Sequence, residues 1–258
     1  MISTILADVA LPPVLAGAFR AEVRLADGPS VEAIAELSAL VKAFFRLADL
    51  GAYVPAAAAP GRASCRVADE VRMPHGIAWR GHAQAVDWRF AQVFRNILVM
   101  FNQLHHPVWQ FSLRADDSAH ATPLELAPLG TRPMPATYPP LSLALPFVVE
   151  RRDRGAASSS RRVAIEFAET LTQPNLSRTV DILELWSDVS LGGYASDEQD
   201  AWTGECAIFD AIPDIDDDMT VAMPIERFGA PDVAWFSMLN LCGRISGDVA
   251  PVVRVTIE

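Results

Sequence analysis

Apolar and polar positions alternate over Val23-Arg24-Leu25-Ala26-Asp27 and again over Ile165-Glu166-Phe167-Ala168-Glu169. That is the period of a half-buried strand. Each stretch is followed by one of helical period. Over 31–50, Val31, Ile34, Leu37, Val41, Phe44 and Ala48 form an apolar stripe, with Glu32, Glu36 and Arg46 away from it. In the later stretch Leu176, Val180, Leu183 and Trp186 point inward, and Ser177, Asp181, Glu184 and Asp188 outward. Ser30 and Asn175 suit the N-cap, where a side-chain oxygen accepts an otherwise unpaired backbone N–H. Gly51 and Gly192 suit the left-handed position that ends a helix. Both stretches close alike, on Leu50-Gly51-Ala52-Tyr53 and Leu191-Gly192-Gly193-Tyr194.

The likeness continues downstream, as a duplication requires. Cys65-Arg66-Val67-Ala68-Asp69-Glu70-Val71 matches Cys206-Ala207-Ile208-Phe209-Asp210-Ala211-Ile212, and "PVWQFSL" from Pro107 matches "PVVRVTI" from Pro251. Asn96 and Asn240 stand in equivalent places before those last segments. Matching segments in one order read as an internal duplication. Each copy predicts strand, helix, strand, short strand, helix, strand, in the first over 19–27, 31–50, 64–73, 76–80, 87–105 and 107–114. The order βαββαβ is the ferredoxin-like plait, an antiparallel sheet with helices on one face. The expected class is therefore α+β, with an internally duplicated plait. A first repeat spans 1–118, a Pro-rich linker 119–145, and a second, acidic repeat 146–258.

Seven prolines between 115 and 147 exclude regular helix there. "LPFVVERRDRGAASSSRRVAIEF" predicts an extra hairpin, tip at 155–160, adding a strand beside the second copy. The N-terminal "ISTILA" is expected to play that part in the first. The uncovered sheet faces must be polar, meet each other or receive a partner, which leaves a homo-oligomer open.

Charge divides the two copies. The net charge is −11, yet residues 1–125 hold 11 basic and 12 acidic groups, against 10 and 20 in the remainder. An acidic balance argues against nucleic acid and anionic membranes, which call for clustered cations. Lys42 is the only lysine beside 20 arginines, the mark of a GC-rich genome. The apolar N-terminus lacks a basic leader and carries Asp8 and Pro12-Pro13, so neither a signal peptide nor a membrane span is expected. Cys65, Cys206 and Cys242 form no paired spacing, so a cytoplasmic setting without disulfides is expected.

Catalytic and metal motifs are missing from the sequence. His75, His82, His105, His106 and His120 have no HExxH, CxxC or His-x-His spacing, so neither a metal nor a cofactor is expected. The two-histidine phosphoesterases need His-x-Thr/Ser on a strand of each lobe. The closing strands here carry Gln110-Phe111-Ser112 and Arg254-Val255-Thr256, which excludes that activity. Asp214, Asp216 and Asp218 have EF-hand spacing, but Met219 replaces the sixth-position glycine and Ile225 occupies the twelfth. Five arginines, Arg151, Arg152, Arg154, Arg161 and Arg162, flank the hairpin tip and read as edge-strand charges that block aggregation.

Two candidate partner-binding features remain. Asp214, Asp216, Asp217 and Asp218 would steer a basic partner, and Trp202, set among charges, would anchor it. The expected function is thus a non-enzymatic binding protein whose acidic second repeat engages a basic macromolecule. Small bacterial immunity and inhibitor proteins do this, an analogy of class and charge alone. The alternative is an enzyme with a cleft between the repeats.

Overall fold

The computed structural model describes residues 14–26, 30–54, 64–87, 91–104, 108–115, 124–125, 145–152, 160–194, 208–209, 213–227 and 232–258. The first half runs β1 (Val14–Leu25), α1 (Val31–Asp49), β2 (Ser64–Met73), β3 (Gly76–Asp87), α2 (Ala91–Leu104), β4 (Val108–Ala115) and β5 (Leu124–Glu125). The second runs β6 (Val148–Arg151), β7 (Ser160–Phe167), α3 (Gln173–Gly193), β8 (Ile208–Phe209), β9 (Asp214–Asp217), β10 (Thr220–Arg227), α4 (Asp232–Asp248) and β11 (Val252–Ile257). The protein is α+β, with two sheets of mixed or antiparallel strands.

The sheets have orders β2-β3-β1-β4-β5 and β6-β11-β7-β10-β8, with β9 also paired to β10. Their registers agree rung by rung. Val23 lies between Ile77 and Phe111, and Ile165 between Val221 and Val255. All six side chains are buried. The same irregularity recurs in the closing strand: pairing passes over one residue between Gln110 and Val108 against β1, and between Arg254 and Val252 against β7. The turns match as well. Leu25 N–H donates to the His75 carbonyl at 2.7 Å, and Phe167 N–H to that of Met219 at 2.9 Å.

Strand alternation puts Phe19, Ala21, Val23 and Leu25 inside and leaves Arg20, Glu22 and Arg24 on the outer face. On the inner side Phe19, Phe44, Phe45, Tyr53, Phe94 and Phe111 form linked ring pairs with centroids 4.5 to 5.6 Å apart. The helices of the two halves pack on one another, α3 against both α1 and α2, so one hydrophobic core runs through both halves. The sheets therefore enclose the helices.

Two side-chain amides stitch this seam, that of Asn96 buried and that of Asn240 partly so. Asn96 Nδ2 on α2 donates to the Gly193 carbonyl at the end of α3, 3.3 Å, and Asn240 Nδ2 on α4 to the Ala52 carbonyl past α1, 3.4 Å. Each half's second helix thus holds the end of the other half's first. Tyr194 beside Gly193 is fully buried and its hydroxyl meets Ser237 Oγ at 2.9 Å and the Tyr53 hydroxyl. Burial pushes Tyr194 up to about 12 despite these hydrogen bonds.

Several expectations are corrected. The stretch before β7 is not a hairpin: β6 joins the second sheet by pairing parallel with β11. The reason is occupancy, since β7 already has β10 and β11 on its two sides. β3 runs to Asp87 instead of stopping near 80, because the early part of β1 pairs with it; α2 accordingly starts at Ala91. A positive φ of 103° at Gly17 accompanies the bulge there. His82 lies on β3, not in a loop. The N-cap of α3 is Thr172, whose hydroxyl accepts from Asn175 N–H, and Pro174 fits the first turn. Gly51 has the expected left-handed φ, whereas α3 continues through Gly192 and Gly193. Val31, in the first turn of α1, is exposed. Within the Pro-rich stretch Leu124–Glu125 extends the first sheet beside β4. The "ISTILA" segment lies outside the described residues.

Candidate functional site

The acidic run forms the β9–β10 hairpin. β10 pairs with β7 on one side and β9 on the other, so β9 is an edge. The turn at Asp218-Met219 is held by backbone groups: Leu171 N–H donates to the Asp218 carbonyl at 2.9 Å and Phe167 N–H to that of Met219. Asp217 Oδ1 accepts Met219 N–H at 2.7 Å, and Asp214 Oδ1 accepts Ile215 N–H at 2.8 Å. The carboxylates of Asp214, Asp217 and Asp218 are exposed, and two apolar side chains stand among them, Ile215 at 52% and Met219 at 40% exposure. Asp216 lies on the same strand. Trp202 and Cys206 fall outside the described residues. Among the described residues no group of His, Cys, Asp and Glu could hold a metal ion, and no helix is long and apolar enough to cross a membrane.

A second feature lies between the halves. α1, β2 and the α3 residues Leu185 and Asp188 border an open groove of 1030 Å³. Its chemistry is muted. The Cys65 thiol is raised to about 12 by burial and by the Asp49 carboxylate, so it is not the thiolate that nucleophilic catalysis needs. Beside the groove Glu70 collects three donors: Lys42 Nζ at 2.7 Å, Ser38 Oγ at 2.6 Å and Trp79 Nε1 at 3.1 Å. Partial burial raises its pKa, but the bonds from Lys42, Ser38 and Trp79 outweigh that and hold it below the ordinary value. A carboxylate so held is a weak base, and its lysine is committed to an ion pair.

The sequence left open what the outer face of the first sheet carries, and its arginine rung was not foreseen. Cross-strand register places Arg80, Arg20 and Arg114 in one rung of β3, β1 and β4. Arg66 and His82 pair on the neighbouring strands. Glu22 bonds Arg20 at 3.2 Å and Arg24 at 2.7 Å. The only signal in the sequence was the alternate spacing of Arg20 and Arg24, which says nothing about what lies opposite.

Comparison with protein-family models, curated proteins and solved structures finds no match to this chain.

Proposed function

We propose that the two halves are tandem copies of one ferredoxin-like plait, and that the protein is a non-enzymatic binding protein whose acidic second copy engages a basic macromolecule. Equal strand orders, matching rungs, the shared irregularity in the closing strand and the paired turn hydrogen bonds support the duplication. The observation that carries the binding reading is the β9–β10 hairpin: exposed aspartates around exposed Ile215 and Met219. In the first half the same turn is Pro74-His75, held by the same backbone bond, so the fold does not call for the aspartates. An apolar centre ringed by one sign of charge is a fitting contact for a basic surface.

The test replaces Asp214, Asp216, Asp217 and Asp218 by Asn and follows association with a basic partner captured from the native host. The expected result is a lower on-rate, with a deficit that shrinks as salt shortens the Debye length from about 10 Å at 0.1 M to about 3 Å at 1 M. An unchanged on-rate at low salt rejects the reading. The groove between the halves favours a second reading, an enzyme acting there. It predicts a small molecule that raises the melting temperature of the wild type and not of Lys42→Ala.

A further inference from the structure

Three arginines in one rung are costly by themselves. Neighbouring strands lie about 4.8 Å apart, and like charges directly opposite destabilise a sheet. The second half shows what this rung looks like without that burden. There the equivalent positions are Pro224, Arg162 and Glu258, one cation facing one anion. In the first half Glu22 neutralises part of Arg20. Asp69 on β2 stands opposite Arg80 in register, without an ion pair between them among the described residues. That leaves Arg20 and Arg114 with no acidic cross-strand neighbour in that rung. Arg80 and Arg114 are exposed, and the outer face also presents Val71 at 43% exposure. A chain with net charge −11 thus carries a face on which Arg20, Arg24, Arg80 and Arg114 outnumber Glu22 and Asp69.

We propose that this face, centred on Arg80, Arg20 and Arg114, docks the acidic half of a second copy of the chain. The inference rests on the reading of the acidic half as partner-binding and names the partner. Charge complementarity selects the occupant, since the excess negative charge of the chain lies almost wholly in its second half. The contact cannot form within one chain, because the face turns away from the helices and the second sheet lies beyond them. Joining unlike surfaces, it is head-to-tail and builds chains or rings instead of a closed two-fold dimer. No aromatic side chain is described on the face, so it lacks the stacking platform of a single-stranded nucleic-acid binder.

Sedimentation velocity over a concentration series tests this. Wild-type protein is expected to show larger species at low salt that dissociate at high salt. Arg80→Glu/Arg114→Glu should sediment as a monomer, with its melting temperature and circular dichroism retained. Asp214→Arg/Asp218→Arg should also be monomeric, and a mixture of the two variants should regain association, because each supplies the charge that the other has reversed. A wild type that stays monomeric at low salt overturns the inference. So does a wild type that binds a fluorescent oligothymidine, with affinity lost in Arg80→Glu/Arg114→Glu, while not self-associating. Either result leaves the proposed function standing if the four-Asn variant still slows capture of a basic host protein.

Discussion

Glu70 shows how a single side chain can be read in two ways. A carboxylate beside a groove, bonded to a lysine, a serine and an indole, has the inventory of a catalytic group. Its direction of titration argues otherwise, because its three donors hold it in the charged form. A pKa lower in the folded than in the unfolded state adds stability above the ordinary carboxylate value, and this is lost as pH falls through the folded value. Glu70→Ala should cost about 1–3 kcal/mol at neutral pH, largely because the indole N–H of fully buried Trp79 loses its acceptor. Urea unfolding at neutral and acidic pH checks it: the gap between variant and wild type should narrow on acidification. A constant gap would show that Glu70 acts through packing alone. The chain's only lysine, Lys42, is paired with this carboxylate at 2.7 Å.

At the scale of elements, β4 and β11 share an irregular first rung and then bury Phe111 and Leu113, and Val255 and Ile257, at matching positions, although β11 also buries Thr256 between them. The preceding helices carry Asn96 and Asn240, each of which reaches across the seam to the end of the other half's first helix. Asn96 is fully buried and Asn240 only partly. Removing a buried partner exacts the whole desolvation penalty, whereas a half-exposed group is rescued by water. Asn96→Ala is therefore expected to lose about 1–3 kcal/mol and Asn240→Ala distinctly less, as chemical denaturation would read. Equal losses would mean that the two contacts are energetically alike despite their different exposure. The helices and central strands were legible from periodicity and caps, as Ser30 and Gly51 illustrate. The place of β6 was not. Its residues read as a strand, but its neighbour depends on which edges remain open once β7 is enclosed.

For the whole molecule, the decisive fact is that the helix layers of the two halves share one core. Gly193 at the end of α3 sits so close to Val93 and Ile97 of α2 that an added Cβ would come within 3.0 Å of Val93. A first half expressed alone would bare that apolar surface, and such patches drive association. Residues 1–118 are expected to be insoluble or to lack fixed tertiary packing, and co-expression with 146–258 should recover a soluble complex. Near-ultraviolet circular dichroism and gel filtration check this; a monomeric, cooperatively folded first half would disprove it. The amino-acid sequence by itself determined the α+β class, the main helices and strands and the uneven charge of the halves, because period, caps and composition are local properties of the chain. Only the tertiary structure decided that β6 pairs in parallel with β11, that Asn96 and Asn240 reach across the seam, and that Arg20, Arg80 and Arg114 share a rung. Those facts depend on register and docking between segments up to 188 residues apart, where no local pattern records which side chain will stand opposite which.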